Sequence, residues 1–249
     1  MGGTPRVLLT SGGTRVPIDS VRHIANMSRG VFGSSIGLAG LEEYGWDLTF
    51  LHAEGSKTPF RVDLDFSRQT PEEVAATVSK CNRLRPLLDR YHEKLFKDFE
   101  SYARALDEEL KQSPDIVILA AAVSDYGTAP LNGKARSGLN MTIQLHPLPK
   151  LISSVRAKAP RCTLVGFKLL VDCSEDELVQ ASYKSIAENH CDLVVANDWR
   201  SLQRNEHQVL LVRDEKGKPV FERHGGVDLG RTVAGKIMQV HEAKQGVDK

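Results

Sequence analysis

The chain reads as an α/β protein, a three-layer sandwich built on a mainly parallel central sheet. Three observations predict this. Apolar, β-favouring runs recur at 7–10, 46–52, 115–123, 162–170 and 192–196, and the first of them does not alternate, the mark of a strand buried on both faces. Stretches with helical spacing lie between them, so strand and helix take turns, the order that yields parallel strands with crossover connections. A glycine-rich turn, Ser11-Gly12-Gly13-Thr14, follows the first run directly, where Rossmann-like sheets place phosphate at a helix N-terminus.

A chain of 249 residues can bury a sizeable core. With no repeat, low-complexity segment or linker, one domain over 1–249 is expected. Hydrophobic content of 41% and charged content of 26% are ordinary for a soluble globular protein. A net charge of +1 gives no reason to expect nucleic acid or an anionic membrane as partner, so anion binding must come from local charge. Cys81, Cys162, Cys173 and Cys191 are widely spaced with no C-x-x-C pair, which suggests reduced thiols rather than zinc or disulfides. The N-terminus shows no signal peptide, and the longest apolar run, 116–123, is far short of the ~20 residues of a membrane span. A cytoplasmic protein is expected.

Taken in order, the strand at 7–10 runs into the glycine turn and then a polar loop holding Asp19, Arg22 and Asn26. Ser28, Gly30 and Gly33 follow, and a helix is predicted from 28 or 29 to about 44, ended by Gly45. The loop is unusual, because a plain dinucleotide fold enters its helix at once. A strand at 46–52 and a surface connection at 54–70 lead to Pro71-Glu72-Glu73, a helix start with Thr70 as N-cap. The spacing predicts a helix over 87–111, with Leu95, Phe96, Phe99, Tyr102, Leu106 and Leu110 on one stripe.

The strand at 115–123 ends in Ser124-Asp125-Tyr126-Gly127, which puts Asp125 where ligands of open α/β sheets gather. Residues 127–138 have the composition of a flexible lid and carry Lys134 and Arg136. The alternating stretch 140–146 predicts a β element projecting from the sheet. A short helix through 158 and a strand at 162–170 come next, then a helix opened by Ser174-Glu175-Asp176-Glu177 and running to about 189. The strand at 192–196 ends in Asn197-Asp198. A hairpin at 208–213 and 219–223 and a helix at 228–242 close the chain.

The converging strand ends would bring together a phosphate cradle, one acid, amides and lysines, a set suited to a nucleoside triphosphate and its metal. The sequence has no G-x-S-x-G, G-x-x-x-x-G-K-[ST], H-E-x-x-H or G-x-G-x-x-G, and no tyrosine is followed four residues later by lysine. Glu54 lies about twice as far past Gly12 as the ~20 residues a dinucleotide ribose calls for. A Rossmann-like NAD(P)-binding oxidoreductase is the alternative reading, and a catalytically silent nucleotide-binding homologue a third.

The ordered motifs TSGGT-x-x-P-I-D-x-V-R-x-I-x-N-x-S-x-G-x-x-G over 10–33, AAAVSDY over 120–126, G-K-x-x-S over 133–137, P-K-L-I, V-G-F-K-L and V-A-N-D resemble phosphopantothenoylcysteine synthetase, in its stand-alone form without a fused decarboxylase. The resemblance implies a ligase that joins 4′-phosphopantothenate to L-cysteine through an acyl nucleotidylate, with CTP or ATP as co-substrate and Mg2+. It implies Asn26 and Lys134 as catalytic residues. It places nucleotide at Gly12, Gly13, Ser28, Gly30, Gly33, Asp125, Lys134, Phe167, Lys184 and Asn197. Arg22, Asn26, Ala121 and Ala122 are implied at the substrate, and no residue as metal ligand. A homodimer with 140–147 at its interface is implied as well. Arg29 stands where many members have Ser or Thr, and the helical insertion near 83–111 is unlike the fused enzymes.

Overall fold

A computed structural model describes residues 3–247 apart from 63, 66, 137, 139 and 205–207, and leaves out the side chains of 202, 203 and 247. The motif serine at 137 therefore lies outside the described residues. Strand β1 (Arg6–Ser11) is followed by a small pair, β2 (Arg15–Pro17) and β3 (His23–Ala25), then α1 (Val31–Glu43) and β4 (Asp47–Ala53). Next come α2 (Pro71–Leu84), a 3-10 turn (Arg85–Arg90), β5 (Tyr91–Phe96), α3 (Phe99–Leu110) and β6 (Ile116–Leu119). A second small pair, β7 (Tyr126–Gly127) and β8 (His146–Pro147), precedes α4 (Ile152–Lys158), β9 (Thr163–Leu170), α5 (Glu175–Asn189) and β10 (Leu193–Asp198). Helix α6 (Trp199–Gln203), the hairpin β11 (Gln208–Glu215) and β12 (Lys218–Gly225), and α7 (Leu229–Val247) complete the order.

Eight strands form one sheet in the order β12-β11-β10-β9-β6-β1-β4-β5. From β5 to β10 every pairing is parallel; the hairpin extends the sheet antiparallel at β10. The chain builds outward from β1 in one direction through β4 and β5, and from β6 in the other through β9 and β10. Adjacent strands β1 and β6 thus mark the point where strand order reverses, the position at which open α/β sheets gather ligands outside the strand carboxyl ends. On one face Tyr102, Leu110, Val155 and Ile186 pack over Leu8, Val117 and Leu164; on the other, Ile36, Trp46, Val233 and Ile237 pack over Val7, Leu9 and Val165. The three-layer α/β sandwich is the expected one.

Local signals set several boundaries as anticipated. Thr70 with Glu73 and Ser174 with Glu177 each form a complete capping box, and Gly45 takes the left-handed φ of +64° just past α1.

Three expectations are corrected. The predicted 87–111 helix is instead the 3-10 turn, β5 and α3. Residues Tyr91–Phe96 pair with β4 from Leu48↔Tyr91 to Ala53↔Phe96. The unpaired backbone edge of β4 needs donors and acceptors, and that ladder outweighs a local helical pattern. A capping box of Asp98 and Ser101 then starts α3 only at Phe99. In the expected 140–146 strand, only His146 is paired, through β8 to β7. Residues 140–145 have no strand partner among the described residues, and isolated alternation does not make a strand. The 115–123 run pairs regularly only to Leu119, although its next residues remain laced to the neighbouring chain.

Candidate functional site

Small residues dominate where β1 and β6 end because two backbones run side by side there. Ala120 N donates to Thr10 O (3.1 Å), Ala122 N to Gly12 O (2.7 Å) and Thr14 N to Ala122 O (3.2 Å). Hydroxyls reinforce the seam: Ala121 N donates to Thr10 Oγ1, and Ser124 N to Thr14 Oγ1 at 2.9 Å. Tyr102 donates to Thr10 from beneath, and its burial pushes the phenol up to about 12. The seam holds Ala121 and Ala122 beside Gly12 and Gly13. Asn26 crosses to the same place, its Nδ2 donating to Ala122 O at 2.8 Å, while its backbone oxygen stacks where a side chain on Gly13 would stand.

The glycines around this turn are required by the protein's own packing. A Cβ on Gly33 would lie 2.4 Å from Ser11 Oγ, and one on Gly12 would lie 2.7 Å from Ala53 Cβ and 2.9 Å from Ser56 Cβ. Gly30, at φ +73°, is the N-cap of α1 and supplies no side-chain cap, while Ser11 Oγ donates to its carbonyl. Helices α2, α3 and α5 begin in capping boxes; α1 begins with open N–H groups beside Ser28, an end that favours negative charge.

The polar loop clamps the Lys134 segment. Asp19 accepts two hydrogen bonds from the Arg22 guanidinium and further ones from the amides of Val21, Arg22 and Ala135. The Arg22 guanidinium, followed by those amides, holds the Asp19 carboxyl far below the usual carboxylate range. Arg22 also donates to Ala135 O (3.0 Å), Leu131 N to Ile18 O, and Ser20 and Gly133 exchange two hydrogen bonds. Exposed Lys134 thus sits between two neighbours, Gly133 and Ala135, that are anchored to residues 19–22, and Arg22 is committed to Asp19.

Asp125 lies exposed past the β6 end and pairs with Lys150. Lys150 stands in the P-K-L-I motif, the signal that could have named it. On the other side of α1, Phe167 on β9 meets Phe32 edge-on with centroids 6.0 Å apart. Its cross-strand neighbour is Val195. Asn197 lines a cavity of about 220 Å3 with Asp198, Cys173 and Ser174. Lys184 is not brought to this edge: it stands more than two turns into α5, exposed and paired with Glu188 at 3.7 Å. Among the described residues no group of three or more His, Cys, Asp or Glu is placed to hold a metal, and no helix is long and apolar enough to cross a membrane.

The fold is a Rossmann-like α/β sandwich, and the candidate site lies at the reversal point between β1 and β6. The family model described as the DNA/pantothenate metabolism flavoprotein C-terminal domain matches residues 3–83 and 99–240, and the chain belongs to that family. The unmatched stretch, 84–98, is the 3-10 turn and β5 with their flanking residues, so it is shorter than expected and adds no α-helix of its own. The chain is 34% identical over 209 residues to the coenzyme A biosynthesis bifunctional protein CoaBC of Thermococcus kodakarensis, covering 83% of this chain and 44% of that one. It is 30% identical to the phosphopantothenate–cysteine ligase CAB2 of Saccharomyces cerevisiae, covering 85% of this chain and 69% of the relative. The chain thus spans less than half of the bifunctional relatives it matches. A solved Cab2 mutant H337A in complex with phosphopantothenate-cysteine superposes with a TM-score of 0.83 at 24% identity, covering 98% of this chain and 88% of that one.

Proposed function

We propose that this chain is a phosphopantothenate–cysteine ligase of coenzyme A synthesis. The observation that carries the reading is the meeting of Asn26, Ala121 and Ala122 with the uncapped start of α1 at one strand edge. The names of the archaeal and yeast relatives support it.

In the proposed reaction, a carboxylate oxygen of 4′-phosphopantothenate attacks the α-phosphorus of CTP or ATP, and pyrophosphate leaves. The amine of cysteine then attacks the acyl carbon of the nucleotidylate, forming the amide as the nucleoside monophosphate leaves with the bond electrons. Neither step needs a covalent protein nucleophile; both need positioning and charge stabilisation. The open N–H groups after Gly30, with Ser28, would receive phosphate oxygens, and Lys134 would neutralise charge on the triphosphate. Asn26 can offer its amide to the activated acyl oxygen by exchanging its bond to Ala122. Phe167, which meets Phe32 of α1, and Asn197, at the end of the neighbouring strand β10, would lie at the nucleotide. Mg2+ would come with the nucleotide and offset its phosphate charge, with no side chain assigned to hold it. The proposal includes a homodimer, for which Tyr126, Met141 and Leu145 offer exposed apolar surface.

The deciding experiment mixes protein, phosphopantothenate, cysteine and Mg2+ with CTP or ATP in separate reactions and follows pyrophosphate. Cysteine-dependent product with one nucleotide is expected. No release with either would overturn the assignment.

A further inference from the structure

A sizeable cavity lies away from the strand edge. About 630 Å3 lies between the outer flank of α1, the connection at 57–62 and α2 with its following 3-10 turn, and none of the site residues discussed above lines it. That volume is in the range of small-molecule pockets. Its floor is apolar, with Leu38, Pro59, Phe60 and Leu84, and Ser34 and Thr77 add hydroxyls.

Its charge is one-sided. Lys57, Arg61, Lys80 and Arg85 line it, with no carboxylate among the described lining residues. In a chain whose net charge is only +1, the cations around this concavity give it a positive local potential that favours an anion. Lys57 and Arg61 are already engaged; Lys80 and Arg85 have no ion pair among the described residues. Helix α2 is amphipathic yet buries only Leu84, so its inner face borders the cavity instead of closing onto α1. The cavity also touches the glycine turn from behind, through Val31, which follows Gly30, and through Lys57, whose amide donates to Arg29 O at 2.9 Å.

We propose that this cavity binds a small amphiphilic anion: a molecule with one phosphate, carboxylate or sulfonate group and an apolar body, separate from the substrates at the strand edge. Apolar contact would come from Leu38, Phe60 and Leu84, and charge from Lys80 and Arg85.

The test uses the full chain with anilinonaphthalene sulfonate as probe, read by fluorescence titration and by alkylation of Cys81, an exposed thiol that lines the cavity. One probe per chain is expected, together with slower Cys81 alkylation at saturation. In the double variant Lys80→Glu, Arg85→Glu, affinity should fall about tenfold or more, and the milder Lys80→Met, Arg85→Met should fall in the same direction. Both variants alter exposed side chains, so circular dichroism should match the parent. Equal probe affinity in parent and both variants, or Cys81 alkylation unaffected by probe, would overturn the site. Binding is read on the protein itself, so the result is independent of whether the ligation assay succeeds.

Discussion

At the end of β1, Gly12, Gly30 and Gly33 meet Ser11, Ala53 and Ser56 so closely that no Cβ fits without movement. At the end of β5, Leu95 and Phe96 are neighbours of similar character, yet one is 61% exposed and the other 1%. The first region is constrained by contacts that permit one residue type, so its composition announces its geometry. The second is constrained by the open edge of β4, about forty residues earlier in the chain, and its own residues would serve a helix equally well. Contact restricts identity; a backbone ladder accepts almost any side chain.

The widest test of that contrast is at β5. Phe96→Ala should cost about 3–5 kcal/mol in denaturant unfolding, while Leu95→Ala should stay within about 0.5 kcal/mol; similar losses would restore the helical reading. At the turn, Asn26→Ala should keep nucleotide binding and lower turnover about 10²–10³-fold, roughly 2.7–4 kcal/mol. Unchanged turnover would remove Asn26 from the reaction. Gly33→Ala, pressed on Ser11 Oγ, should destabilise by about 1–3 kcal/mol. Ser11→Gly in the same chain should recover part of that loss, and a strictly additive double variant would refute the contact.

The smallest effect concerns the clamp. The Asp19 carboxyl is depressed in the folded state, so its contribution is present above the unfolded carboxylate value of about 3.9 and disappears as pH falls toward the folded one. The stability gap between the parent and Asp19→Asn should therefore be widest near neutral pH and narrow in acid. A gap that persists at the lowest measurable pH would mean that the Arg22 pair is not its source.

Much of the site was legible as residue types: the glycine turn, Asn26, the alanines and Asp125 follow from the motifs, and each sits at or just past the β1–β6 edge. Their partners were not. The P-K-L-I motif marks Lys150 but not its pairing with Asp125, and nothing in Phe32 names Phe167. The spacing of Lys184 could not reveal that it faces solvent beside Glu188. The residues around Lys134 read as a free lid, yet their backbone is anchored to 18–22.

The sequence by itself determined the alternation of strand and helix, hence the parallel sheet, and the capped starts of α2 and α5. The capped starts depend on groups a few residues apart, whereas the crowding after β1, where Gly12 meets Ala53 and Gly33 meets Ser11, shows in the sequence only as the glycines themselves. Only the tertiary structure decided that 91–96 is a strand, that 140–145 is not, and that a cation-lined cavity opens behind α1. Those outcomes depend on which backbone edges and charges are left unmatched once distant segments meet, and no local period records that.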